Sequence, residues 1–330
     1  ISGKVTRTWP CETLVSYFKQ AAFSEFMIGT VETRETVILN SRRCSDNEEH
    51  TGGRLKVPKP LEYEDHDDPR IIPTRALLKR YNALLAETHI DLGSQDEPSV
   101  ASEYYNRATK VYEQRRVSLS QQNKFVRRVF YRGDWNLGGR YHGGWWQQIR
   151  GDLRKHILIN GDRTFEVDFS GFHVALAFAL EYHEPPSDPY TLSTLTMGFT
   201  QEQQRSDVKL LALTALNADS QKAALSAFRD QRNKDQRQLP RDQKISYTDD
   251  MLNSWLQGFS KKHSAIKHYI CSDKGVELMA LDGNITTRII EHFTVLGEPI
   301  LTVHDSYIVR SGREEMLSQA MLTAVSEETE

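Results

Sequence analysis

Two stretches that set an aspartate at a strand end constrain this chain more than any other feature. In Phe165–Ala177 (FEVDFSGFHVALA) an apolar run ends in Asp168, passes a Ser-Gly turn and becomes a helix-like apolar segment. In Ile300–Val309 (ILTVHDSYIV) an apolar strand carries His304 and Asp305 at a turn, and a second strand follows. A carboxylate at a strand end points at whatever lies in front of the sheet. Two of them on neighbouring strands are what a two-metal phosphoryl-transfer site needs. Singly, each aspartate reads equally well as a turn residue; together, with the segment between them, they favour chemistry. Strands around 157–168 and 300–309 with helices inserted between them argue an α+β fold.

With 330 residues the chain can bury a large core and hold one large or two modest domains. The net charge of −3 says nothing about a polyanionic partner, but its distribution does. Between Arg107 and Lys155 twelve basic residues face three acids (Glu113, Asp134, Asp152), a local excess of +9. Phe125, Phe130, Tyr131, Trp135, Tyr141, Trp145 and Trp146 interleave it. Charge mixed with stacking surface suits a polyanion with bases; the plainer alternative is a solvated face with a few core aromatics. Cys11, Cys44 and Cys271 lie far apart and match no zinc spacing, so they read as reduced and structural. No run reaches transmembrane length and the start is not a signal peptide, which leads us to expect a cytoplasmic protein. A start at Ile1 leads us to expect a trimmed chain with something upstream.

Along the chain, residues 1–40 read as a helix and a small hairpin, and the polar, acidic stretch from Cys44 to Asp68 reads as a linker or loop. Arg75–Ile90 carries Leu77, Leu78, Tyr81, Leu84, Leu85 and His89 at helical spacing. Ser99–Arg116 reads as a second helix opened by Pro98. Residues 133–150 are too glycine-rich for a helix until their end. Ile157–Asp168 reads as a β-hairpin turning at Asn160-Gly161. Pro189–Phe199 is expected as a short helix, Gln201–Asn217 as a longer one, and Gln221–Lys244 as an exposed basic hairpin of helices or a tip. Helices over Thr248–Tyr269, Val276–Phe293 and Arg313–Ser326 complete the pattern. The division that follows is an N-terminal segment with linker (1–74), a helical basic region (75–132) and a unit at 133–330 that carries the two aspartates, with a helical insertion at about 190–262.

Arg205, Lys209, Leu213 and Asn217 fall four apart on one face of the predicted 201–217 helix. A strand carboxylate, a cationic helix and a second strand carboxylate, in that order, suit a nucleoside triphosphate. The carboxylates hold divalent ions, and the cations meet the charge that builds on the leaving pyrophosphate. Lys209 is also a candidate proton donor to that group.

The arrangement resembles the palm and fingers of the family A DNA polymerase and single-subunit phage-type RNA polymerase superfamily, over roughly Gly133–Arg310. DFSGFH (168–173) looks like its first motif, RSDVKLLALTALN (205–217) its second and VHDSYIV (303–309) its third, in which the RNA enzymes carry Ser after His-Asp. Asp188-Pro-Tyr-Thr191 sits where the DNA enzymes carry an Asp-Ile-His-Thr-like segment. Gly139-Arg140 with Gln147 or Gln148 resembles the stretch that touches primer end and template. The resemblance implies a palm with an antiparallel sheet, reduced helical fingers and a helical, thumb-like N-terminal region. It implies Asp168 and Asp305 as ligands of two Mg²⁺, with Mn²⁺ as a substitute, and Arg205 and Lys209 as triphosphate groups. It places Arg140, Gln147 and Gln148 on the nucleic acid. Arg127, Arg128, Arg154 and His304 join them as nucleic-acid contacts, His304 also orienting the aspartate turn and Ser306 touching the primer strand. The sixth position of the first motif, a sugar-excluding Glu in the DNA enzymes, is His173, and the base-stacking positions of the second are Leu213 and Asn217. His173 and Asn217 could bond each other or a ribose 2′-hydroxyl, or His173 could be a satisfied core histidine. The expected partners are DNA and nucleoside triphosphates, with no membrane. Three functions stay open: a DNA or RNA polymerase, primase included; a nucleic-acid-binding replication protein without turnover; and a two-carboxylate metal nuclease.

Overall fold

The computed structural model describes residues 11–21, 34–41, 58–94, 97–106 and 111–329. In chain order the helices are α1 (Glu12–Ala21), α2 (Ile71–Glu87), α3 (Gly151–Arg154), α4 (Phe172–Leu180), α5 (Gln201–Leu216), α6 (Gln221–Asp235), α7 (Asp249–Lys262), α8 (Gly275–Val295) and α9 (Glu314–Thr329). The strands are β1 (Val37–Leu39), β2 (Ile90–Leu92), β3 (Ser99–Asn106), β4 (Val111–Ser118), β5 (Val126–Tyr131), β6 (Asp134–Gly143), β7 (Ile157–Ile159), β8 (Asp162–Asp168), β9 (Leu301–Val303) and β10 (Ser306–Arg310).

The fold is α+β, built on an antiparallel five-stranded sheet of order β2-β7-β8-β10-β9. Short turns fix its register. Asn160 and Gly161 both take positive φ, +53° and +84°, the primed turn whose twist suits a two-residue hairpin, and Ile159 pairs with Asp162 across it. His304 and Asp305 join β9 to β10, with Val303 opposite Ser306. A second sheet, β1-β5-β6, has β1 parallel to β5 and β6 antiparallel to it.

Helix α8 runs through the core and packs against β6, α2, α4 and α9. Its buried residues include Leu278, Asp282, Ile285, Ile289 and Phe293, a stripe at three- and four-residue steps. Its closest neighbour is β6. A Cβ on Gly283 would stand 2.1 Å from the Gly139 carbonyl oxygen, so glycine alone lets the strand lie on the helix there. Between β8 and β9, helices α5, α6 and α7 pack on one another as an inserted helical unit. Helix α5 starts at a capping box: the Thr200 hydroxyl accepts from Gln203 N while the Gln203 side chain accepts from Thr200 N.

Several expectations need correction. Ser99–Arg116 is not a helix: β3 and β4 form a two-stranded ribbon with Val100 opposite Val117 and Ser102 opposite Arg115. Among its described residues, region 75–132 is therefore helical only through α2, and within α2 Leu77, Leu78, Tyr81 and Leu85 are buried while His89 lies beyond its end. Pro189–Phe199 is irregular rather than helical. Polar anchors hold it: Gln204 donates to Thr194 O at 2.7 Å and accepts from Thr196 N at 2.7 Å. The partner expected to make a hairpin near residues 22–33, and most of the linker from Cys44, fall outside the described residues. Cys11 and Cys271 are free thiols. Among the described residues no helix is long and apolar enough to cross a membrane.

Candidate functional site

Strands β8 and β10 run side by side, with Ser306 opposite Asp168 and Ile308 opposite Glu166. Asp168 closes β8, Asp305 immediately precedes β10, and Phe169 N donates to Asp305 O at 3.3 Å. Both aspartates therefore flank one strand crossing. Asp168 is exposed and Asp305 half-buried. Desolvation, and next the charge of Asp305, push the Asp168 carboxyl above its ordinary range, while Lys209 opposes the rise. Among the described residues neither carboxylate has a side-chain hydrogen bond or ion pair. The neighbouring Glu166 differs: it accepts from Arg154 Nη2 at 2.8 Å and from the Ser306 hydroxyl at 2.6 Å.

Like charges left adjacent and uncompensated fit a cation. Among the described residues no three or more His, Cys, Asp or Glu side chains gather as a closed metal cage. Asp168 and Asp305 would instead hold ions that keep water and substrate phosphates as their other ligands, the habit of Mg²⁺.

Helix α5 lays Arg205 and Lys209 on its exposed side, while Gln204, Asp207, Val208, Leu211 and Ala212 are buried. Arg205 Nε donates to Asp188 Oδ1 at 3.0 Å. Burial opposes the Asp188 charge, but the Thr191 hydroxyl and Arg205 outweigh it and bring its pKa down to about 2. Tyr190 lies under both cations, its ring centre 5.9 Å from Arg205 Cζ and 6.0 Å from Lys209 Nζ. Leu213 is half-buried and Asn217 is exposed at the end of α5, where its amide donates to Leu213 O at 2.8 Å.

A second charged cluster lies where β6 meets α8. Arg140 Nε donates to Asp282 Oδ2 at 2.6 Å, and Nη2 lies 2.7 Å from His173 Nε2. The guanidinium can only donate, so Nε2 accepts and the ring proton sits on Nδ1. His173 is thus a buried histidine bonded to Arg140, and its expected bond to Asn217 is not formed, since Asn217 donates to Leu213 O instead. His304, at φ +56°, faces His142 edge-on at 6.3 Å. Desolvation first, then the Arg140 charge, lowers its pKa. Desolvation, then His304, brings His142 down to about 4, and the Tyr131 hydroxyl lies 3.1 Å from its Nε2.

Other expected nucleic-acid contacts are engaged elsewhere. Arg128 is 2 % exposed and bonded to Gly139 O (2.8 Å) and Asn284 Oδ1 (2.7 Å), so it is a core residue and cannot reach phosphate. Gln147 spans Gly143 N and Thr302 O, a structural brace between β6 and β9. The Ser306 hydroxyl is buried against Glu166 and Val303 O rather than offered to a primer. Gln148 is half-buried, its carbonyl accepting from Ser102, and Arg154 is held by Glu166. Arg127 is exposed. Much of the basic run is neutralised: Arg116 meets Glu97, Arg132 meets Asp273, Arg150 meets Asp152, and buried Lys124 caps Thr88 O at 2.6 Å.

Nothing local marks Asp282, and Tyr190 enters the sequence reading only as part of Asp188-Pro-Tyr-Thr191: each acquires its neighbours through tertiary packing. Comparison with protein-family models, curated proteins and solved structures gives no match for this chain.

Proposed function

We propose that the chain is a compact, template-directed nucleotidyltransferase that adds nucleotides to a nucleic-acid 3′ end. The observation that carries this reading is the pair Asp168 and Asp305, brought together by the pairing of β8 with β10, with Lys209 near enough to act on the Asp168 charge. In this reading the five-stranded sheet is a palm, and α5 to α7 are reduced fingers.

Arg205 and Lys209 bind the triphosphate, where charge-assisted bonds are strongest. The 3′-hydroxyl gives up its proton to solvent and attacks the α-phosphorus in line, and the bond from that phosphorus to the pyrophosphate oxygen breaks. Lys209 Nζ supplies a proton to the leaving oxygen. Asp168 and Asp305 would hold two Mg²⁺, with Mn²⁺ as a substitute, which would supply Lewis-acid stabilisation of the charge that develops in the transfer. In this reading the exposed Arg127 and His304 meet the strand, and Arg140 shapes the site through Asp282 and His173. DNA is the favoured template.

The test is incorporation of labelled dNTPs and NTPs on a primer–template with Mg²⁺ or Mn²⁺. Wild type should incorporate, and Asp168→Ala should lose at least about a thousandfold. Equal null results from both proteins across all nucleotides would overturn the proposal.

A second reading, a nucleic-acid-binding replication protein without turnover, is favoured by the internal pairing of Arg128, Arg140 and Arg154. Calorimetry of a triphosphate with Mg²⁺ separates the two, because equal affinity in wild type and Asp305→Ala supports binding without catalysis.

A further inference from the structure

We infer that Asp188 and Tyr190 form a positioning platform that aims the Arg205 guanidinium and the Lys209 ammonium at a bound polyphosphate. The inference rests on the proposal that α5 meets a triphosphate, and it deepens that proposal by explaining what sets the two cations.

Asp188 takes Arg205 through Nε alone, at 3.0 Å. Among the described residues Arg205 forms no other hydrogen bond, so both terminal nitrogens of its fork stay free for an anion. Held side-on in this way, a guanidinium keeps its bidentate edge available. Asp188 is itself fixed by the Thr191 hydroxyl and by Tyr190 N at 3.2 Å. The Tyr190 ring, 2 % exposed, serves both cations, since residues four apart on a helix stand one above the other. It stacks on Phe259 at 6.4 Å with planes 14° apart. Helix α7 secures the segment from behind. Lys262 Nζ donates to Asp188 O (2.9 Å) and Thr191 O (2.8 Å), and His263 Nε2 meets Pro189 O at 2.6 Å. Among the described residues the Tyr190 hydroxyl has no hydrogen-bond partner, and it abuts Gly171, where a Cβ would stand 2.9 Å from it. The ring, not the hydroxyl, is what the cations use.

Electrostatics alone makes an anion beside a phosphate site a liability, so removing Asp188 should tighten binding. A positioning role reverses that sign. The experiment is calorimetry with inorganic tripolyphosphate on the full chain. Asp188→Ala should weaken binding about fivefold through loss of a charge-assisted bond. Tyr190→Leu should weaken it by a similar factor, and Tyr190→Phe should stay within about twofold. In an Arg205→Ala background Asp188→Ala should have no further effect, while affinity for duplex DNA stays constant throughout. Asp188→Asn, which keeps an acceptor for Nε, should show the same sign with a smaller loss and serves if the alanine variant unfolds. Tighter or unchanged binding in Asp188→Ala and Asp188→Asn overturns the inference, as does an undiminished effect without Arg205. If wild type binds no better than Arg205→Ala/Lys209→Ala, the assignment of α5 to phosphate fails, and the platform fails with it.

Discussion

The molecule holds two clusters of opposite character close to one another. At the paired ends of β8 and β10, exposed Asp168 and half-buried Asp305 stand together, and among the described residues neither has a side-chain hydrogen bond or ion pair. At the β6–α8 contact, Asp282 is wholly buried, with Arg140 drawn onto it and His173 bonded in turn to Arg140. A buried carboxylate must be matched, because an unpaired charge in the interior costs several kcal/mol. An exposed pair of like charges can be left unmatched at small cost and then has affinity to spare for an ion. The first arrangement is available for binding; the second fixes geometry.

The sharpest way to break this comparison is Asp305→Ala. It should abolish nucleotide incorporation, by about a thousandfold or more, while leaving the melting curve nearly unchanged. Loss of folding instead would show the pair to be structural. Asp282→Ala should do the reverse, lowering stability by about 3–5 kcal/mol in denaturant titrations by stranding Arg140. An effect below about 1 kcal/mol would remove Asp282 from the structural side of the contrast.

Acid sharpens it further. His142, with its folded pKa down to about 4 against an ordinary 6.5, binds fewer protons folded than unfolded between those values. Stability should therefore be fully present above pH 6.5 and fall as pH drops toward 4, by about 2 kcal/mol for this group. Histidine-to-asparagine replacement at 142 should flatten that slope in pH-dependent unfolding, and an unchanged slope would assign it to other groups. The smallest effect belongs to Asp168. Its raised folded pKa means its contribution is present at low pH and lost as pH rises. Asp168→Asn should accordingly stabilise the metal-free protein at pH 7 by under about 1 kcal/mol. Added Mg²⁺ should raise the melting temperature of wild type more than that of this variant.

The local parts of the site were legible in the sequence. Asn160-Gly161 announced its hairpin, the aspartates announced their strand ends, and the four-residue spacing announced an exposed cationic face on α5. Pro98 suggests a helix start before Ser99–Arg116, whereas Val100, Ser102 and Val117 alternate buried with exposed neighbours, the period of a strand. Segment 189–199 was misread because its conformation is imposed by Gln204, Trp255 and Lys262 from elsewhere in the chain. The same cause hid Asp282 and buried Arg128: a charge count along a sequence cannot tell a guanidinium aimed at solvent from one that ends on a carbonyl of the next strand.

The strand pairing of β8 with β10 has a consequence for how such a chain can vary. Everything from Phe169 to Ile300 departs from the sheet and comes back at the edge strand β9, whose short turn then lays β10 beside the strand the chain left. Lengthening or trimming that excursion leaves the spacing of the two acids untouched, because the spacing is set by the ladder and not by the path between its rungs. Changes in the size of the helical unit should therefore alter which substrate is admitted before they alter the chemistry done to it.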